Sequence, residues 1–114
     1  MKRLMALAVG LTLSTSAFAL EYFPHYVKKL GQCVATAQQL DRQDIVRGAR
    51  QLFDIHYSLI SDEDRYTAAY DFGLYVGGTT QIFRQALSTE GHEEAALIFI
   101  NQKFDENCHA IPPK

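Results

Sequence analysis

Four histidines, two cysteines and one acidic run are the side chains of this chain that could do chemistry. A metal site on a helix needs ligands one turn apart, as in H-x-x-x-H or H-E-x-x-H. His25, His56, His92 and His109 form no such pair. His92-Glu93-Glu94 comes nearest, but adjacent helical positions point in different directions, so this triplet reads as a solvated helix start. His56 recurs in step with apolar residues and reads as a satisfied, half-buried histidine. No G-x-S-x-G elbow is present. Asp62, Glu63 and Asp64 could hold a paired acid and base. Three acids after Ser61 are, however, what the positive end of a helix dipole attracts. The chain reads as a protein with no catalytic residue, no metal and no cofactor.

The stretch YDFGLYVGGTTQIF, residues 70–83, raises a second possibility. A phosphate-cradling loop needs G-x-G-x-x-G or G-x-x-x-x-G-K-[ST] after a strand. The glycines here are Gly73, Gly77 and Gly78, no lysine follows, and the preceding residues have helical period. On a helix, Ala69, Gly73 and Gly77 stand four apart and share one face. Such a row of small residues lets a second backbone approach closely, with Tyr66, Tyr70 and Val76 at its flanks. The partner is either another helix of this chain or a second protomer in a homodimer. Gly77-Gly78 is also a point where the helix could break.

The elements that carry these residues are helical nearly throughout. Pro24 suits a first helical turn. Tyr26, Val27, Leu30, Cys33, Val34, Ala37 and Leu40 then trace one face, interrupted by the weak point Gly31. Asp41, with Asp44 three residues on, is the expected N-cap of a second helix. Its apolar face is Ile45, Val46, Ala49, Leu52, Phe53, His56 and Ile60. Ser61 and Asp64 form an S-x-x-D start for a third helix near Asp62, running as far as Leu87. Glu93 and Glu94 open a fourth, with Ala96, Leu97, Ile100, Phe104 and Cys108 on one side. HAIPPK is expected to fray, because paired prolines stop regular structure. The expectation is all-α: one compact bundle of four or five helices.

The first residues read as an address. Lys2 and Arg3, the apolar run Leu4–Leu13 and the A-x-A signal Ala17-Phe18-Ala19 make a bacterial-type secretory signal peptide, cleaved after Ala19. Residues 1–19 are then the signal and 20–114 a single helical domain in the periplasm. The residue after the cut is Leu20, so no lipid anchor is expected, and no later run is long enough to anchor the mature chain in a bilayer. The whole chain carries −2 at neutral pH, and losing Lys2 and Arg3 makes the product more acidic. Without a cluster of Lys and Arg, nucleic acid is not an expected partner. In an oxidising compartment two cysteines read as one disulfide, Cys33–Cys108.

Ala17-Phe18-Ala19, Cys33 in LGQCVATA, the FGLYVGG helix and Cys108 in FDENC span most of the chain. Together they resemble the small periplasmic immunity proteins that neutralise amidase effectors of type VI secretion systems. The resemblance implies a helical, often dimeric protein that blocks a secreted peptidoglycan hydrolase by filling its cleft. Only the two cysteines carry over residue by residue. Candidate partner-binding residues come from the chain itself: Asp62, Glu63 and Asp64 between Tyr57 and Tyr66, and a second segment from Ser88 to Glu93. The competing reading is a general periplasmic stress or chaperone-like protein, or an accessory subunit of an envelope complex.

Overall fold

The computed structural model describes residues 19–114. The signal-peptide expectation falls on 1–18, outside the described residues, and on Ala19, which is exposed. Four α-helices follow: α1 (Pro24–Gln39), α2 (Gln43–Leu59), α3 (Asp62–Ser88) and α4 (Glu93–Cys108). Among the described residues there is no strand, only an isolated parallel bridge between Leu20 and Ile60.

α1 is the central element and lies against each of the other three, most extensively against α3. Its composition explains this. Val27, Leu30, Cys33, Val34, Ala35, Thr36 and Ala37 are all buried, so more than one side of the helix must be covered. Thr36 tolerates burial because its hydroxyl donates to the Gln32 carbonyl one turn back. α2 supplies Ile45, Val46, Ala49 and Phe53, the face read from its period. Phe53 stacks on Phe72 of α3 with ring centroids 4.1 Å apart. Cys33 and Cys108 are joined, with an S–S distance of 2.08 Å, tying the middle of α1 to the end of α4.

α1 stops differently from expectation. Asp41 is not the N-cap of α2; it is the left-handed residue after α1, with φ +56°. The N–H of Asp41 donates to Gln38 and that of Arg42 to Ala37, the pairing of a Schellman stop. Aspartate tolerates this conformation better than most residues. Arg42 precedes α2 instead, and its guanidinium pairs with Asp44 at 3.1 Å. That bond and charge hold the Asp44 carboxyl below its usual range.

Ser61 caps α3 as the sequence implied, accepting the Asp64 N–H at 3.3 Å. The helix runs its 27 residues without a break at Gly77-Gly78. For the glycine row of α3 the expected partner within the chain is corrected. Ala69, Gly73 and Gly77 are exposed, and a Cβ built at Gly73 or Gly77 meets nothing within 4 Å. Among the described residues no helix packs there. The close approach is at Gly31 of α1, where a Cβ would lie 2.8 Å from the Tyr75 Cβ and 3.3 Å from the Phe72 carbonyl oxygen. α3 turns its bulky side, Phe72, Tyr75 and Val76, toward α1. Burying those side chains removes far more apolar area than burying glycine would.

Two smaller expectations also change. Leu97 is exposed, and α4 buries Ala96, Ile100 and Cys108. The tail does not fray. Ile111 packs on the core, the Lys114 N–H donates to the Asp44 carbonyl at 2.9 Å, and Arg47 Nε donates to the Lys114 carbonyl. Gly48 makes room: the Pro112 carbonyl oxygen lies where its Cβ would be. Once the disulfide fixes Cys108, only a few residues must be ordered to bury Ile111.

Candidate functional site

The last carbonyls of a helix need partners from outside it. At the end of α2 that need builds a corner. Arg65, in the first turn of α3, reaches back and donates from Nε to the Tyr57 carbonyl at 2.9 Å and from Nη2 to the Ser58 carbonyl at 3.0 Å. Its Nη1 meets Asp62 Oδ1 at 3.1 Å, and the guanidinium lies 5.6 Å from the Tyr57 ring centroid. Ser58 Oγ donates to the Ile55 carbonyl, and the Leu20 N–H to the Leu59 carbonyl at 2.7 Å. One planar cation thus fastens both sides of the turn, a use for which its fixed fork of donors is suited.

The structure brings Tyr57 and Asp62 together through Arg65. Tyr57, Asp62, Glu63 and Tyr66 are exposed, whereas Asp64 is half-buried. Tyr66 is 82% exposed and Tyr70, one turn on, 65%. The Ser88–Glu93 segment is not part of this surface. It lies at the far end of the 27-residue α3, about 40 Å away along the helix axis at ~1.5 Å per residue. The fastening role of Arg65 is what sequence reasoning passed over, and Tyr70, read only as a flank of the glycine row, joins the exposed surface beside Tyr66. An arginine three positions after Asp62, just beyond a helix end, was the available signal. Among the described residues, no three or more His, Cys, Asp or Glu side chains converge as a metal site would require.

Beside the corner lies an apolar groove of about 380 Å³, lined by Leu20, Phe23, Tyr26, Ile55 and Leu59 around His56. His56 is 3% exposed, with the rings of Tyr22, Phe23 and Tyr26 at centroid distances of 5.9, 5.7 and 5.5 Å. Its Nε2 accepts the Phe23 N–H at 3.3 Å, so the imidazole is neutral on that nitrogen. Tyr22 in turn donates its hydroxyl to Asp71 Oδ2 at 2.6 Å. Burial, then that bond, push the Tyr22 hydroxyl well above its ordinary value. Residues 20–23 are therefore strapped across α2 and onto α3.

Burial lowers the His56 pKa, which sets the sign of a pH effect. The unfolded chain takes up this proton near pH ~6.5 and the folded protein only at lower pH. Stability is complete above ~6.5 and falls as pH drops below it, by at most ~1.4 kcal/mol per pH unit for one proton. Urea unfolding between pH 7 and pH 5 is expected to show a smaller loss for His56→Phe than for the wild type. Parallel losses would assign the acid sensitivity to other groups.

No protein-family model, curated protein or solved structure matches the chain.

Proposed function

We propose that this protein is an exported periplasmic immunity protein. It acts by binding, not catalysis, and neutralises a cell-wall-degrading toxin of the amidase type by seating the α2–α3 corner in the toxin's active-site cleft. The observation that carries this reading is the fastening of that corner by Arg65. An inhibitor loses affinity for every segment it must order on binding, and this turn is ordered beforehand. Glu63 and Asp62 would steer encounter with a basic rim. Tyr66 and Tyr70 offer large, rigid contact area of the kind that dominates interface energetics. The signal-like first residues and the resemblance of the cysteine placement to known immunity proteins support the compartment and the partner class. A second copy packed on Ala69, Gly73 and Gly77 would compete with the toxin for Tyr66 and Tyr70, which share that face of α3.

The test is co-expression of a secreted-type peptidoglycan amidase in the periplasm with this protein. The wild type is expected to rescue growth. Glu63→Lys with Tyr66→Ala touches only exposed side chains and leaves Asp62 to hold Arg65, so its unfolding curve should match the wild type. If Tyr66 is a binding hot spot worth ~2 kcal/mol, this variant binds roughly 30-fold more weakly and rescue is lost. A second reading, an accessory envelope subunit, is favoured by another exposed apolar surface, Ile82 on α3 with Phe99 on α4, which line one shallow hollow. Failure to rescue from any envelope toxin, with stable capture of an envelope complex dependent on Ile82 and Phe99, would put that reading first.

A further inference from the structure

We infer that cleavage after Ala19 completes the fold, because the α-ammonium it creates on Leu20 becomes the cap of the α2 C-terminus. The inference rests on the export reading above. The Leu20 nitrogen lies 2.7 Å from the carbonyl oxygen of Leu59, the last residue of α2. Unsatisfied carbonyls give this end of a helix a partial negative charge, which favours a cation. In the uncleaved chain that nitrogen is a neutral amide with one N–H. Hydrolysis by a signal peptidase consumes one water and breaks the Ala19–Leu20 C–N bond. Ala19 keeps the carboxylate, and the Leu20 amine takes up a proton. The same nitrogen then carries three donors and a full charge, and charge-assisted hydrogen bonds are roughly twice as strong as neutral ones.

The position is prepared for it. Leu20 bridges to Ile60, Tyr22 is tied to Asp71 and Phe23 to His56, so the new terminus is ordered by the residues that follow it. Ala19 is exposed, which leaves the junction reachable. The titratable groups around the site are Glu21 and Tyr22 on its own segment, Tyr26 of α1 and His56 of α2 in the groove, and Arg65 of α3. Arg65 is a like charge on the neighbouring carbonyls, but it is paired with Asp62. The corner proposed to meet the toxin thus reaches its final rigidity only after export.

The test compares the exported wild type with a variant carrying Gly-Ser inserted between Ala19 and Leu20. The insertion leaves the A-x-A signal intact but returns the Leu20 nitrogen to an amide. At pH 6.5 the wild type is expected to have a folded-to-unfolded ratio about tenfold higher. An α-amine loses its charge above pH ~8, so this advantage is expected to vanish by about pH 10. Equal stability at pH 6.5, or a difference unchanged at pH 10, would overturn the capping. Intact mass of the periplasmic protein reads the export premise separately. A mature chain beginning anywhere but Leu20 would overturn the processing step, whatever the unfolding curves show.

Discussion

Replacing Cys33 and Cys108 together by serine is expected to lower the thermal midpoint by roughly 20–30 °C. The bridge closes a loop of 75 residues, worth about 4.5 kcal/mol in the chain-entropy treatment. For a domain of this size each kcal/mol moves the midpoint by ~4–8 °C. Both cysteines are buried, so the serines also place two hydroxyls in an apolar environment, which adds to the loss. The effect should extend to the tail. With Cys108 released, no disulfide holds Ile111–Lys114 near Gly48, and the Lys114 amide bonded to the Asp44 carbonyl should exchange its proton early. Circular dichroism melts of the wild type, the reduced wild type and the double variant measure this. A double variant that melts within a few degrees of the oxidised wild type would show that the bridge is dispensable.

Gly31→Leu and Gly73→Ala are expected to move stability in opposite directions. At Gly31 a Cβ already falls 2.8 Å from the Tyr75 Cβ and 3.3 Å from the Phe72 carbonyl oxygen. Neither is the end of a flexible side chain, so α1 and α3 must move apart. Overpacking typically costs ~1–3 kcal/mol and more where backbone has to shift; about 3 kcal/mol is expected here. At Gly73 the space is open, and alanine gains about 1 kcal/mol of helix propensity. Denaturant midpoints of the two variants decide the matter. A Gly31→Leu protein as stable as wild type would mean the two helices do not meet at that point. Gly73→Leu adds a test of self-association: monomer stability holds, but a dimer seated on that face dissociates, as sedimentation would show.

These glycines also show how far sequence reading reaches. Burial of the α2 face was legible because Ile45, Val46, Ala49, Phe53 and His56 recur with a single helical period and polar residues fill the rest. The α3 start was legible because Ser61 and the acids after it follow local capping rules. Which face of α3 is buried was not, because apolar residues surround the helix. Phe72, Tyr75 and Val76 on one side compete with Tyr66, Tyr70 and Leu74 on another, and periodicity cannot rank two apolar faces.

By itself the sequence determined the helical class, the ends of most helices within a residue or two, the pairing of Cys33 with Cys108 and the place of His56 on the apolar face of α2. These follow from interactions between residues close in the chain, from apolar period, or from there being only two cysteines to join. Tertiary structure alone decided which side of α3 meets α1, that Gly31 is the point of closest approach, that Pro112 lies over Gly48, and that Arg65 and the Leu20 nitrogen share the carbonyls ending α2. Each of those joins residues whose proximity depends on how whole helices pack. Packing is settled by the total apolar area removed from water and the backbone groups left to satisfy, quantities that no short stretch of sequence contains.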